Sequence, residues 1–295
     1  MSKQSRVVVF GEVLFDCFPS GERVLGGAPF NVAWHLQAFG QAPMFVSRVG
    51  VDDLGKQILR AMKDWRMDIS NVQVDRQHPT GKVEVTMVED EPHYQITPDC
   101  AYDFIEDKQL DGLPNVGILY HGTLGLRNPV SRKAFLHLVN RTKLALFLDV
   151  NLRAPWWQKA DVYQWLKRAR WVKLNIDELR LLGFTSNNLE EEMDRFLKTF
   201  GLEQVILTRG EAGAMVHTDQ SEYYHVVPRK LEQFVDTVGA GDAFTSVYLH
   251  GLLNEWPIAE TLDFAQQFAS KIIGLRGATT TDEDFYQQMK QAFHF

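Results

Sequence analysis

A glycine-rich loop with a carboxylate directly behind it lies towards the C-terminal end of the chain. The run 236–244 reads Asp-Thr-Val-Gly-Ala-Gly-Asp-Ala-Phe, and its three small residues are Gly239, Ala240 and Gly241. Residues 243–255 have the pattern of an amphipathic helix, so the loop N–H groups would form an anion site at its positive end. Asp242 lies in the first turn, where it could accept the proton of an alcohol. An anion site beside a general base is suited to transferring a phosphoryl group to a hydroxyl.

The alternative for this run is an ordinary glycine turn in which Asp242 is favoured only by the helix dipole. The complete run resembles the C-terminal signature of the ribokinase-like (PfkB) carbohydrate kinases. Residues 26–40, Gly-Gly-Ala-Pro-Phe-Asn-Val-Ala-Trp-His-Leu-Gln-Ala-Phe-Gly, resemble that family's N-terminal signature in the form typical of fructokinases. Both blocks stand in the family's order and at roughly its spacing, so the resemblance extends over essentially the whole chain. It implies an ATP-dependent sugar kinase with a ribokinase-like α/β fold.

Short apolar runs alternate with helical patterns along the chain. The predicted strands are 7–10, 43–49, 116–120, 145–150, 171–174 and 205–208, and the predicted helices between them are 31–39, 54–65, 131–144, 162–170 and 189–200. This alternation predicts a mostly parallel central sheet with helices on both faces. No linker, low-complexity tract or repeat divides the chain, so we expect residues 1–295 to form a single domain.

Two segments lack a helical period and are predicted to form strands of a small separate sheet. They are 13–25 and 82–97, and in the resembled family such strands form a lid over the sugar. An exposed sheet has an apolar face that needs a cover, and Val83, Val85, Met87 and Tyr94 would supply part of it. The sugar cleft or a second subunit could provide this cover, which predicts a homodimer joined partly through the lids.

Polar residues near the N-terminus are candidates for binding a polyol. Asp16 is expected just after the first strand, and Gly26, Gly27 and Asn31 follow it. Asp and Asn side chains supply the donors and acceptors that hydroxyls need, while the glycines allow close approach of the backbone. Taken alone, Asp16 could cap a turn and Asn31 could be a first-turn helix residue. The resemblance to fructokinase-like proteins implies that these positions bind the sugar.

The element 149–153, Asp-Val-Asn-Leu-Arg, closes another predicted strand. It resembles an Asp-x-Asn-x-Arg element common in the fructokinase and ketodeoxygluconate kinase branches of the family. The guanidinium of Arg153 could neutralise a phosphate or contact a sugar oxygen. The alternative is a local ion pair between Arg153 and Asp149 that shapes the loop.

Further loops are assigned to the nucleotide through the resemblance. Asn175-Ile-Asp-Glu178 looks like the family's Asn-x-x-Glu element, whose acid holds Mg²⁺ through water, since Mg²⁺ gives up its hydration shell reluctantly. Thr208, Gly210 and Gly213 match a Thr-x-Gly-x-x-Gly loop that passes beside the ATP phosphates. The sequence contains neither a Walker-type Gly-x-x-x-x-Gly-Lys-Ser/Thr run nor the protein-kinase signatures, which excludes those two kinase classes.

Asp236 precedes the predicted helix and therefore cannot share the anion site with Asp242. In the family this aspartate and nearby carbonyl groups often bind a monovalent cation such as K⁺, and carbonyls near 276–278 would complete such a site. The chain departs from many relatives here. It has three threonines at 279–281 in place of a proline-ended turn, and Gln266 where many relatives have Asn near the adenine. These departures weaken the case for a K⁺ site and for the adenine contacts.

The composition excludes several classes of function. The formal net charge is −7 without a basic stripe, which argues against a nucleic-acid partner. No apolar run approaches the roughly 20 residues of a membrane span, and the N-terminal residues do not resemble a signal peptide. Cys17 and Cys100 are too few for a metal cluster and favour free thiols in a reducing cytoplasm, with a disulfide as the open alternative.

Together these features predict phosphoryl transfer from Mg-ATP to a sugar. Asp242 would accept the proton of the primary alcohol at C6 of fructose, while the amides of 239–242 and Mg²⁺ stabilise the phosphoryl oxygens. Ketodeoxygluconate, ribose and a nucleoside are alternative acceptors on the same fold. A phosphosugar is disfavoured because no Arg/Lys cluster lies beside Asp16 or Asn31. Outside the enzyme class, the alternative is a non-catalytic sugar-binding regulator.

Overall fold

In the residues that the structure describes, the chain is built around a nine-stranded sheet, with a separate four-stranded sheet beside it. The structure is a computed structural model that describes residues 7–88, 91–110, 112–228 and 238–293. The strands in these residues are β1 (Val7–Phe10), β2 (Leu14–Cys17), β3 (Arg23–Gly26), β4 (Met44–Gly50), β5 (Val72–Asp75), β6 (Gly81–Val88), β7 (Glu91–Ile96), β8 (Val116–His121), β9 (Lys143–Asp149), β10 (Trp171–Asn175), β11 (Gln204–Thr208), β12 (Ala214–Thr218) and β13 (Tyr223–Val226). The larger sheet has the order β13-β12-β11-β10-β9-β8-β1-β4-β5. Strands β11 to β5 of this order are parallel, and β12 and β13 add an antiparallel edge.

Helices cover both faces of the larger sheet. Those in the described residues are α1 (Ala28–Ala38), α2 (Asp53–Asp64), α3 (Pro129–Arg141), α4 (Lys159–Leu166), α5 (Ile176–Leu181), α6 (Leu189–Phe200), α7 (Ala240–Leu253), α8 (Ile258–Ile272) and α9 (Glu283–Ala292). The side chains of β1 alternate between two cores. Val7 and Val9 share a core with residues of α1, α7 and α8, whereas Val8 and Phe10 share a core with residues of α3 and α6. The predicted mostly parallel α/β sheet with helices on both faces is therefore confirmed.

The four-stranded sheet contains both segments that were predicted to form the lid, and we call it the lid sheet. Its order is β3-β2-β6-β7, so each predicted segment contributes two strands. Asp16 of β2 pairs with Val83 of β6, and both line the cleft described below. Phe15, on the opposite face, is buried in the core shared with α1 and α7. The prediction of a smaller sheet beside the main one is confirmed.

Two details of the lid sheet differ from the sequence predictions. Asp16 does not lie in the loop directly after β1, since it belongs to β2, in the segment 13–25 that was predicted to form the lid. The apolar face is also less exposed than expected, since Val83 and Val85 are buried and only Tyr94 is 54% exposed. The side chain of Met87 lies outside the described part of the structure. The cleft side of this sheet is thus largely covered within one chain.

Candidate active site

A cleft of about 710 Å³ lies between the lid sheet and the carboxyl ends of the parallel strands. Open α/β sheets bind ligands at this edge. Strands β9, β10 and β11 end there with Asp149, Asn175 and Thr208. Most of the site residues predicted from the sequence line this one cleft. They are Asp16, Gly26, Gly27, Asn31, Arg153, Asn175, Glu178, Thr208, Gly239, Gly241 and Asp242.

The remaining predicted site residues do not line the cleft or are not described. Gly210 and Gly213 lie in the loop after β11, and Ala240 is the first residue of α7, but none of them reaches the cleft wall. A side chain at Gly213 would collide with the carbonyl oxygen of Val226, so this glycine permits the close approach of β13. Asp236, the predicted ligand of a monovalent cation, lies outside the described residues.

Asp242 lies in the first turn of α7 and is hydrogen-bonded to α1. The amide Nδ2 of Asn31 donates to Asp242 Oδ2 at 2.7 Å. Burial raises the pKa of Asp242 from its ordinary value of 3.8 to about 6; the Asn31 hydrogen bond, Lys173 and Arg153 oppose this shift, and Asp149 adds to it. At neutral pH the carboxylate is therefore mostly ionised and has a proton affinity suited to a general base.

Asp16 and Asn31 both approach Gly26, the last residue of β3. A Cβ atom at Gly26 would make ordinary van der Waals contact with both side chains, at 3.7 Å from Asp16 Oδ2 and 3.9 Å from Asn31 Oδ1. Asn31 Oδ1 is buried and has no hydrogen-bond partner among the described residues. At Gly27 a Cβ atom would lie 2.8 Å from the carbonyl oxygen of Glu12, so the backbone passes there only without a side chain. This end of the cleft therefore presents polar side chains over closely packed backbone.

Close packing at Gly239 holds the N-terminus of α7. Gly239 has a φ of 80°, and a side chain there would collide with Ala278. His35 fixes Ala278 in turn, since its Nε2–H donates to the Ala278 carbonyl at 3.0 Å and its Nδ1 accepts from the Tyr286 hydroxyl at 2.8 Å. Burial lowers the pKa of His35 to about 3, which keeps the ring neutral as these two bonds require. The first N–H groups of a helix lack intrahelical acceptors, so α7 presents donors at the cleft.

A buried ion pair below α7 was missed by the sequence analysis. Lys173 of β10 donates to both carboxylate oxygens of Asp149, at 2.9 and 3.0 Å, and the Thr245 hydroxyl donates to Asp149 Oδ2 at 3.0 Å. Lys173 Nζ lies 3.3 Å from the position of a Cβ atom at Gly241. The signal in the sequence was a lysine inside an otherwise apolar strand. Asp149 therefore pairs with Lys173 and not with Arg153, which is exposed.

Asn175 and Glu178 form a capping box at the start of α5. Asn175 Oδ1 accepts from the Glu178 N–H and Glu178 Oε2 accepts from the Asn175 N–H, both at 2.9 Å. Glu178 Oε1 accepts from the Leu152 N–H at 2.8 Å. Burial raises the pKa of Glu178, and the Asn175 hydrogen bond and Lys173 oppose this shift. The carboxylate is thus held in a fixed orientation in the cleft wall, and each oxygen retains a lone pair.

Glu12 is a second candidate that the sequence analysis missed. It lies between Gly11, which follows β1, and the lid sheet, is 2% exposed and lines the cleft. Burial raises the pKa of Glu12 from 4.5 to about 7; its own backbone N–H, Arg153 and Arg127 oppose this shift, and Asp242 adds to it. The signal was an acid two positions after an apolar strand, at the edge where such sheets bind ligands.

Comparison with known proteins agrees with this fold. A fructokinase of Salmonella typhimurium is 28% identical over 94% of this chain and 95% of its own length. The aminoimidazole riboside kinase of Salmonella typhimurium is 26% identical over 95% of this chain and 92% of its own length. The crystal structure of a fructokinase from Vibrio cholerae O395, in a form with fructose, ADP and calcium ion bound, is 25% identical and has a TM-score of 0.83, covering 94% of this chain and 95% of that one.

These relatives and the fold define a phosphotransferase of the ribokinase-like type. The model of the pfkB family carbohydrate kinases matches residues 5–284. The chain belongs to the PfkB family of carbohydrate kinases. Its general activity is the transfer of a phosphoryl group to an alcohol of a sugar-like acceptor.

Proposed function

We propose that this carbohydrate kinase transfers the γ-phosphoryl group of Mg-ATP to the primary alcohol at C6 of fructose. The observation that carries the proposal is the 2.7 Å hydrogen bond between Asn31 and Asp242. It joins an amide suited to binding a polyol to a carboxylate whose pKa is raised to about 6 by burial. A polyol held by Asp16 and Asn31 would therefore present a hydroxyl to Asp242. Fructose is favoured as the acceptor because the sequence of residues 26–40 has the form typical of fructokinases and because fructokinases are among the relatives.

The proposed reaction is a direct displacement at phosphorus. Asp242 accepts the hydroxyl proton as the sugar oxygen bonds to the γ-phosphorus, and the bond from that phosphorus to the ADP oxygen breaks. A well-positioned general base contributes about 100- to 10,000-fold to the rate. The rest of the barrier reduction comes from holding acceptor and donor in line, with water excluded beneath the lid sheet.

The charge of the transferred group is stabilised by the N-terminus of α7. Gly241 and Asp242 line the cleft in the first turn of α7, where backbone N–H groups lack intrahelical acceptors and the helix dipole is positive. Lys173 lies below this turn, but Asp149 is bonded to it and offsets most of its charge. We therefore assign the ion pair to holding the loop in position, and assign Arg153 at the exposed rim as the cation that contacts phosphate or a sugar oxygen.

Glu178 and Asn175 are the residues that would hold Mg²⁺. The donor set fits a hydrated ion, because Glu178 offers two oxygens that each already accept one backbone N–H. Among the described residues no group of three or more His, Cys, Asp or Glu side chains could enclose a metal, which also favours a site shared with water and phosphate. When bound, the ion supplies positive charge to the ATP phosphate oxygens.

Fewer residues are assigned to nucleotide binding than the sequence predicted. Thr208 lines the cleft and is assigned to the ATP phosphates, whereas Gly210 and Gly213 are assigned to shaping the loop. Gln266 on α8, which stands where many relatives have Asn near the adenine, does not line the cleft and is assigned no role. A K⁺ requirement through Asp236 also stays a prediction.

A nucleoside is the second candidate acceptor. The aminoimidazole riboside kinase of Salmonella typhimurium is nearly as similar to this chain as the fructokinase is. Ribose and ketodeoxygluconate remain alternatives on the same fold. A phosphosugar is disfavoured, because the cationic side chains that line the described cleft are Arg153 and the paired Lys173.

A panel of acceptors separates these alternatives. ADP release is measured with fructose, ribose, ketodeoxygluconate, tagatose, mannose and adenosine at equal concentrations of Mg-ATP. The proposal expects the highest kcat/KM with fructose. If another acceptor gives a higher kcat/KM, that acceptor replaces fructose as the proposed substrate. If no acceptor of the panel supports ADP release, a sugar-binding regulator is favoured.

Three further properties are proposals about the whole protein. The chain forms one domain, acts in the cytoplasm and is a homodimer joined partly through the lid sheet, where Tyr94 is exposed. Light scattering that detects only monomer at micromolar concentration would contradict the proposed homodimer.

Cys17 and Cys100 are free thiols, as a reducing compartment would allow. In the part of the chain that the structure describes, no helix is both long and apolar enough to cross a membrane.

A further inference from the structure

Two oppositely charged side chains that line the cleft have no ion-pair partner among the described residues. Glu12 is 2% exposed, and its Oε2 is buried without a hydrogen-bond partner among the described residues. Arg153 is exposed, and its guanidinium forms no hydrogen bond or ion pair with the described residues. Both residues line the same cleft, and their charges interact. They nevertheless do not form an ion pair with each other.

A buried carboxyl oxygen without a hydrogen-bond partner lowers stability, so the presence of Glu12 Oε2 calls for an explanation. The backbone at Gly125 packs closely against the Glu12 carboxyl and against Gly11. A Cβ atom at Gly125 would lie 3.3 Å from Glu12 Oε2 and 2.9 Å from the Cα of Gly11. The turn that follows β8 therefore packs against the carboxyl only because it has a glycine at this point.

Two cationic side chains, Arg153 and Arg127, lie near enough to Glu12 to lower its pKa, and Arg153 is the one that lines the cleft. Burial raises the pKa of Glu12 to about 7, Arg153 and Arg127 oppose the shift, and Asp242 adds to it. Arg127 pairs with Asp103, to whose two carboxylate oxygens its Nε and Nη2 donate, both at 2.7 Å, and it does not line the cleft, although its Nη1 has no hydrogen-bond partner among the described residues. Arg153 is thus the nearby cation that a molecule in the cleft can reach.

We infer that Glu12 binds the acceptor sugar, with a sugar hydroxyl held between the Glu12 carboxyl and the Arg153 guanidinium. A hydroxyl donates one hydrogen bond and accepts others, so it can link an acid and a cation that do not touch. The neighbouring Asp16 and Asn31 would bind other hydroxyls of the same molecule. This inference rests on the proposed function as a kinase of a polyol and adds a specificity-determining residue to it.

The test compares Glu12→Gln and Glu12→Ala with a matched control, Glu192→Gln. Glu192 on α6 is also a buried glutamate, 1% exposed, whose Oε2 lacks a hydrogen-bond partner among the described residues, but it does not line the cleft. KM values for fructose and for ATP are measured for each, together with thermal unfolding. We expect Glu12→Ala to raise the KM for fructose about 10- to 100-fold, as for loss of a hydrogen bond to a charged group. The KM for ATP should change less than about threefold.

Deoxy analogues identify the hydroxyl involved. The wild type should have a lower kcat/KM for one of 1-deoxy-, 3-deoxy- and 4-deoxyfructose than for fructose, and this decrease should equal the one that Glu12→Ala causes with fructose. In Glu12→Ala, the kcat/KM for this analogue should equal the kcat/KM for fructose, because the contact is already absent. Glu192→Gln should keep the full penalty for this analogue.

The outcomes separate this inference from the proposed function. If the wild type phosphorylates no member of the acceptor panel, the proposed function fails and the inference falls with it. If the wild type prefers another sugar, the same variants are measured with that sugar. If a folded Glu12→Ala keeps the acceptor KM within threefold, or raises the KM for ATP equally, the inference is wrong while the kinase assignment stands. Should Glu12→Ala not fold, Glu12→Gln decides by the same criteria.

Discussion

Asn31 donates a 2.7 Å hydrogen bond to Asp242, joining the first helix of the chain to the helix that begins at the glycine loop. The two residues were predicted for different tasks, one for the sugar and one for the reaction. Their direct contact means that acceptor binding and proton transfer share one point of the cleft. A change at Asn31 is therefore expected to affect both steps.

Replacement of the proposed base should abolish turnover but not nucleotide binding. Asp242→Asn keeps the size of the side chain but cannot accept the proton, so kcat is expected to fall about 100- to 10,000-fold. ATP affinity, measured by titration calorimetry, should change little. Asp53→Asn is a matched control, because Asp53 is also a first-turn helix carboxylate but is exposed and outside the cleft. Near-native turnover in Asp242→Asn would remove Asp242 as the base.

The same variant should be more stable than the wild type at pH 7.5. The folded pKa of Asp242, about 6, lies above its ordinary value of 3.8, so the native state binds this proton more tightly than the unfolded chain. The stability contribution is present below about pH 4 and is lost as the pH rises towards 6. Asn carries no charge, so removing the carboxylate should raise the free energy of unfolding by about 1–3 kcal/mol. Lower stability of Asp242→Asn in urea unfolding at pH 7.5 would contradict this account of burial.

The pH profile should follow the ionisation of Asp242. A base must be deprotonated, so kcat/KM is expected to fall about tenfold per unit below about pH 6. The Asn31 hydrogen bond lowers the pKa of Asp242, and its loss in Asn31→Ala should move this acid limb to higher pH. Rates between pH 5 and 8, with folding checked by circular dichroism at each pH, test both statements. An acid limb that stays in place in Asn31→Ala would show that another group controls it.

Asp16 and Asn31 should differ in what their removal changes. Asp16→Ala is expected to raise the KM for the sugar about tenfold or more with little effect on kcat, because Asp16 lies on the lid sheet. Asn31→Ala should raise the same KM and also lower kcat. The KM for ATP should stay within about threefold in both variants. Loss of ATP affinity with sugar affinity intact would mean that the two ends of the cleft are wrongly assigned.

The buried pair of Lys173 and Asp149 should matter for stability. Lys173→Met leaves Asp149 buried without its cation, which is expected to cost about 3–5 kcal/mol of unfolding free energy. Lys198→Met is a suitable control, because Lys198 pairs with Asp194 on an exposed helix surface and should cost less than about 1 kcal/mol. Equal losses for the two variants in urea unfolding would argue against the buried pair as a support for the loop.

The sequence predicted most of the long, strongly patterned elements, and missed several short ones together with one long helix, α8. Helix α6 begins and ends at the predicted residues, since Asn188 caps it and Gly201 ends it. Helix α3 was predicted to run to 144, but Thr142 is extended and β9 begins at Lys143. Strands β5 and β13 were missed because four-residue edge strands carry little periodicity. The unpredicted β12, α8 and α9 joined no recognised motif, whereas α5 begins at the recognised Asn175-x-x-Glu178 element but is only six residues long.

The cleft residues that belong to a sequence motif were predicted. Those that stand out only because they are charged and buried were missed. Asp16, Asn31 and Asp242 belong to recognisable runs, although nothing in the sequence indicated that Asn31 touches Asp242. Glu12 and Lys173 carry no motif. Their importance comes from being charged and buried, a property that depends on the packing of β1 and β10 within the sheet.

Identification of the product tests the central claim most directly. Wild-type protein is incubated with Mg-ATP and ¹³C-labelled fructose, and the site of phosphorylation is read by ³¹P and ¹³C NMR. The account predicts fructose 6-phosphate and ADP in equal amounts, with no product from Asp242→Asn on the same timescale. Phosphate on another hydroxyl of fructose, or ATP hydrolysis without a sugar phosphate, would contradict it.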